Sequence, residues 1–176
     1  MSKNSAPDEP FLYELGVEVP RDVTRVVVHD SVEELPRNLF EDCYRLREIR
    51  LPDGLRAIRE RALRGCRVLK HVALPSNLAV LAGGAFDGCA ALRNATIPKN
   101  IAVVSDGLFC NCSRLEWVLL PSTVTTIEPN AFASCRSLKA VHLHAGIRVI
   151  SPAAFFGCSS LGSLDFPSTL TSIGKW

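Results

Sequence analysis

The residues best equipped for chemistry in this chain of 176 are its seven cysteines. Cys43, Cys66, Cys89, Cys112, Cys135 and Cys158 follow one another at intervals of 23 residues, and Cys110 alone is off the ladder. A disulfide needs two thiols whose Cβ vectors face each other. Thiols repeated along one axis point the same way, which resists a bridge. Zinc needs about four ligands converging on a point. A ladder spreads them out, and Cys110 and Cys112 alone are too few. A reactive thiol needs a polar, partly open setting. Only Cys110 suits that, because its column otherwise holds Glu41, Arg64, Asp87, Ala133 and Phe156. An incidental surface cysteine explains Cys110 as well. Free cysteine behaves as a small hydrophobe and is often buried. The ladder therefore reads as one small inward slot presented again and again. A redox or metal module built on these thiols is the weaker alternative.

The four histidines offer little more. His71 and His142 fall in columns expected to face solvent, while His29 and His144 stand where other units carry proline. His142 and Asp165 share a column one unit apart, within prospective hydrogen-bonding reach, but no activated nucleophile accompanies them. No G-x-S-x-G, phosphate-binding loop or H-E-x-x-H is present. The sequence predicts no enzyme and no cofactor.

The elements that position these residues follow from the same period of 23. Leu46, Leu69, Leu92, Leu115, Leu138 and Leu161 keep the step, as do Phe40, Leu63, Phe86, Phe109, Phe132 and Phe155. Prolines recur at Pro52, Pro75, Pro98, Pro121 and Pro167. With leucine as position 1, each unit reads L-x-x-V-x-L-P-x-x-V-x-x-I-x-x-x-A-F-x-x-C-x-x. A fixed period sustained without insertion means stacked supersecondary units, each too small to bury its own apolar face. Six full units run from Val23 to Ser160, and a truncated seventh spans 161–176. Residues 1–22 read as an N-terminal tail and cap, with the first ten disordered.

Positions 4 and 6 differ by two and are β-branched or leucine, which predicts a strand with one buried face. Proline at position 7 ends it, having no N–H to give. Apolar spacing in "AFASCRSL" (131–138) fits one or two helical turns. The fold class is therefore an α/β-type repeat solenoid, with a parallel β-sheet on one face and short helical turns or loops on the other.

The unit resembles the BspA-like leucine-rich repeats, most closely in "LLPSTVTTIEPNAFASCRSL" (119–138) and "FPSTLTSIGKW" (166–176). That resemblance covers residues 23–176. It implies a leucine-rich-repeat solenoid used as a binding or adhesion module, with no catalytic residues to carry over. The first unit departs from the pattern at Val23 and His29, as a capping coil does, and the last stops before its "AF..C" segment.

If positions 4 and 6 point inward, positions 3 and 5 point out. Among these outward residues, Trp117 and Leu119 are large and apolar, and Thr96, His142, Asn94, His71 and Arg50 lie around them. They are the candidate partner-binding residues, since tryptophan is enriched at interface hot spots; cover for the sheet surface is the competing role for Trp117. Position 2 lines up Arg47, Lys70, Arg93 and Lys139, suited to an acidic partner or an RNA backbone, although a solvated charged face accounts for it more simply.

Net charge is +2, too small to point to nucleic acid or an anionic membrane. No apolar run reaches the roughly 18 residues of a membrane span. No apolar stretch follows Lys3 to make an export signal, and the sequons at Asn94 and Asn111 read as chance. The expectation is a cytoplasmic protein that presents its sheet face to another protein, with no nucleic acid and no membrane. The alternative is a fragment of a larger surface or adhesion protein, extracellular in that case. Self-association through an uncapped C-terminal coil, closed by Trp176 if by anything in the chain, is a further expectation.

Overall fold

The computed structural model describes residues 9–175. The expectations for most of the disordered tail and for Trp176 as a lid lie outside these residues.

The chain winds into stacked coils, each 23 residues long. Coils 1 to 6 begin at Val23, Leu46, Leu69, Leu92, Leu115 and Leu138, and the partial coil 7 begins at Leu161. The strands in chain order are β1 (Phe11–Tyr13), β2 (Arg25–Val28), β3 (Glu34–Leu35), β4 (Glu48–Arg50), β5 (Ala57–Ile58), β6 (Val80–Leu81) and β7 (Asn94–Thr96). They continue as β8 (Val103–Val104), β9 (Trp117–Leu119), β10 (Thr126–Ile127), β11 (Ala140–Val141), β12 (Val149–Ile150) and β13 (Ser172–Ile173).

All pairing is parallel, and within the coils each residue meets its equivalent one coil away: Val26 opposite Ile49, Ala95 opposite Val118, Ile127 opposite Ile150. The sheet of positions 3 to 6 is made of β1-β2-β4 and then β7-β9-β11. A second sheet at positions 12 and 13 is made of β3-β5-β6 and then β8-β10-β12-β13. Both are interrupted at coil 3. Residues 71–74 form no strand, and Val72 and Leu74 are only partly buried, unlike most of their columns. On the second sheet, Leu81 O receives the Ser105 hydroxyl at 2.8 Å, where the equivalent carbonyls of other coils receive a backbone N–H.

The apolar columns form one core between the sheets and the turn side. Leu46, Leu69, Leu92, Leu115 and Leu138 are fully buried, aligned in successive coils. Phe86, Phe109, Phe132 and Phe155 stack face to face with centroids 5.2–5.8 Å apart. At the N-terminal end β1 adds to β2, and Tyr13 packs edge-on against Phe40 at 5.7 Å. In coil 7 the same columns lose their cover, and Phe166 and Ile173 are each 47% exposed.

The helical turns expected in the segment typified by residues 131–138 are not formed; no helix occurs among the described residues. Two columns in each coil adopt positive φ, which breaks any helical run after a single turn. Position 16 is Asn38, Arg61, Gly84, Gly107, Asn130 and Ala153; position 20 is Asp42, Gly65, Gly88, Asn111, Ser134 and Gly157. Alternation of left-handed and ordinary residues aims every second N–H at the next coil. Arg61, Leu63 and Gly65 donate to Gly83, Ala85 and Asp87, and Gly84, Phe86 and Gly88 donate to Asp106, Leu108 and Cys110. This ladder runs without a break through coil 3.

Candidate binding surface

The cysteine ladder is structural down to its atoms. Cys66, Cys89, Cys112, Cys135 and Cys158 are buried, and each thiol donates to the position-18 carbonyl of the preceding coil, Phe40, Leu63, Phe86, Phe109 or Phe132, at 3.1–3.3 Å. Cysteine thus fills a small apolar slot and supplies a weak donor to a buried carbonyl. All seven cysteines are free. Burial pushes the Cys89 thiol up to about 12 and that of Cys158 to about 11, and it raises Cys66, Cys112 and Cys135 as well. Cys110 is half-buried, and burial with the nearby Asp87 carboxylate raises its pKa too, the reverse of an activated thiol. No cluster of three or more His, Cys, Asp or Glu able to hold a metal occurs among the described residues.

Two histidines have local duties. His29 Nδ1 accepts the Ser31 N–H at 3.2 Å, and His144 Nδ1 accepts the Gly146 N–H at 3.0 Å. Each ring closes a small turn at the slot where other coils use proline, and Val32 and Ile147 complete the same turn to the histidine carbonyls. Sequence reasoning saw the substitution but not this reason for it.

On the first sheet, alternation sends Ala95, Val118 and Val141 into the core and their neighbours out. Asn94 pairs with Trp117 and Thr96 with Leu119, while Ala140 flanks Trp117 on the other side. Trp117 is 47% exposed and Leu119 55%. Exposed His142 follows β11 directly, in the column of Thr96 and Leu119. His71, Asn94 and Trp117 line one shallow groove of about 490 Å³ with Lys70, Arg93 and Glu116. Six of the seven candidate residues therefore share one surface. Arg50 sits on the exposed face of β4, across the strandless stretch of coil 3, and lines another groove of about 390 Å³ with Leu12, Val27, His29 and Asp30.

Ion pairs link equivalent or neighbouring positions of successive coils. Arg64 bridges Glu41 at 2.8 Å and Asp87 at 3.0 Å, Arg25 meets Glu48 at 3.3 Å, and Lys139 meets Glu116 at 2.7 Å. The Lys139 ammonium, through its hydrogen bond, holds the Glu116 carboxyl below its usual range, with a smaller contribution from Arg93. Lys70, Arg93 and Glu116 were legible in the sequence only as a charge column; the groove that unites them with Trp117 was not.

The family described as BspA type leucine rich repeat region matches residues 21–139 and 81–176, in six copies. Solved structures agree. A leucine-rich repeat protein from Bacteroides ovatus superposes with a TM-score of 0.83 at 32% identity, over 88% of this chain and 40% of its own. A leucine rich cell surface protein from Faecalibacterium prausnitzii gives 0.73 at 30%, over 85% and 39%. The T. pallidum leucine rich repeat protein gives 0.73 at 29%, over 79% and 65%. The chain thus spans less than two thirds of the length of each. No curated protein matches the chain.

Proposed function

This chain belongs to the BspA-type leucine-rich repeat family, and from that premise we propose that it is a non-catalytic module whose first sheet face binds another protein. One observation carries the reading. Trp117 and Leu119 stand two residues apart on a regular strand, each about half exposed, although the core columns beside them are filled. Large apolar side chains on a rigid, flat surface are the usual anchors of protein contacts. The sheet supplies precise placement at no conformational cost, since its backbone is fixed by the coils above and below. Nothing in the groove beside Trp117 has the make-up of a catalytic centre: it holds no nucleophile with a base, and its acid is committed to Lys139.

The test is capture from an extract of the source cells on the immobilised chain, with Trp117→Ala/Leu119→Ala as the comparison. The double variant is expected to lose the captured protein and keep its thermal unfolding profile. Equal capture by both would reject the sheet face as the binding surface.

A second reading places the chain within a larger surface or adhesion protein. It is supported by the structural neighbour named as a cell surface protein and by the greater length of the neighbours. Labelling of intact cells with a membrane-impermeant reagent separates it from the cytoplasmic alternative. Modified chain on unbroken cells supports the surface, and protection until lysis supports the interior.

A further inference from the structure

Beside the first sheet runs a line of exposed cations. Arg47, Lys70 and Arg93 occupy position 2 of coils 2, 3 and 4, and the Arg93 N–H donates to the Lys70 carbonyl at 3.2 Å. Like charges stacked in neighbouring coils repel one another. The same column shows how the chain relieves that cost elsewhere, because coils 5 and 6 place Glu116 against Lys139 at 2.7 Å. Coils 2 and 3 lack this remedy, and Arg93 of coil 4 acts on Glu116 only as a minor contributor beside Lys139. Arg47, Lys70 and Arg93 form no ion pair among the described residues, and the neighbouring carboxylates are engaged, Glu48 by Arg25 and Glu116 by Lys139. All three cations are exposed, and two of them line the groove whose wall is Trp117.

We propose, resting on the sheet-face reading above, that the partner of this surface is an acidic, extended protein segment. Its carboxylates lie along Arg47, Lys70 and Arg93, and one large apolar side chain seats against Trp117 and Leu119. Charge complementarity selects the acidic partner and sets its direction along the stack of coils. The low charge selects protein over RNA: three cations on a chain of net charge +2 neutralise too few phosphates for firm RNA binding.

The experiment is selection of short random peptides displayed on phage against the whole chain, followed by solution binding of the enriched peptides. Expected on the wild type are sequences of net negative charge with a tryptophan, phenylalanine or leucine. Their affinity is expected to fall about tenfold or more in Lys70→Glu/Arg93→Glu, and again on raising salt to about 0.5 M. Selection on the reversed variant should enrich basic peptides. Lys70→Gln/Arg93→Gln serves if the reversed variant does not fold. Neutral or basic peptides from the wild type that still need Trp117 would overturn the acidic partner and leave the sheet-face reading standing. Peptides indifferent to Trp117→Ala and to the charge variants, or no enrichment at all, would remove both. Tighter binding of an oligouridylate probe than of any selected peptide would overturn the choice of protein.

Discussion

The turn side and the sheet side of this solenoid do different work, although every coil contributes to both. On the turn side, positions 16, 18 and 20 donate to the next coil through coil 3 without a gap, and the phenylalanine and cysteine columns pack beneath them. On the sheet side the strands are two to four residues long and lapse at residues 71–74. The side with regular strands is thus the less continuous one. Repetition is strict where the coils are held together and relaxed where side chains face solvent. A repeat protein can vary its outward residues freely when its cohesion lies elsewhere.

The strongest way to break this comparison is alkali. The buried thiols are neutral, and their pKa values stand above the ordinary value, up to about 11 for Cys158 and about 12 for Cys89. An unfolded chain gives up these protons first, near pH 8.5–9. Stability is therefore full below that point and is lost as pH rises toward the raised values. Each such thiol contributes a fall of about 1.4 kcal/mol per pH unit within its window. Several acting together should unfold the chain between about pH 9 and 11, seen as a steep loss of denaturant midpoint. Cys112→Ala should flatten that slope. A midpoint level across the window would show that the turn side is not sealed.

Next in size is the aromatic stack. Phe109 is fully buried, with Phe86 at 5.6 Å and Phe132 at 5.8 Å. Phe109→Ala should cost about 3–5 kcal/mol in urea unfolding, because the rings above and below cannot close over the gap. A loss under about 1 kcal/mol would mean that the stack is incidental to cohesion.

What the sequence made legible follows the same division. Inward columns were readable because burial restricts residue type: Cys89, Leu92 and Phe86 recur because their slots recur. The left-handed columns were also written there, as Gly84 and Gly107 with Asn38 and Asn130, and again as Gly65 and Gly88 with Asp42 and Asn111. Apolar spacing in the same segment imitates a helical turn and hid that signal. The lapse at coil 3 was not legible. Val72 and Leu74 satisfy their columns as well as any residue, and the distance between coils is set by how whole layers seat on each other. The groove at Trp117 was half legible, since exposure follows from strand alternation but a groove along positions 2 and 3 of coils 3, 4 and 5 depends on side-chain shape.

A smaller effect tests the left-handed columns directly. Ala153 has φ 56°, a region costly to residues with a Cβ. Ala153→Gly should stabilise the chain by about 0.5–1 kcal/mol. The converse holds at Gly65, whose φ is 72° and whose added Cβ would collide with the Asp42 side chain. Gly65→Ala should therefore destabilise, and by more than the first change gains. Opposite signs in paired thermal melts support the turn-side ladder; a stabilised Gly65→Ala would contradict it.

The smallest expected change in stability is the one that most sharpens the contrast. Trp117 lies on the sheet side with nearly half its surface in water, and its neighbours across the sheet, Asn94 and Ala140, are smaller than it is. The strand is held by backbone pairing and by Val118 beneath, neither of which the indole supplies. Trp117→Ala should shift the unfolding free energy by no more than about 0.5–1 kcal/mol, against several for Phe109→Ala eight residues earlier. So small a loss is what the proposed sheet-face reading expects of Trp117. If the two substitutions proved equally costly, Trp117 would be a packing residue and the sheet side would share in cohesion after all.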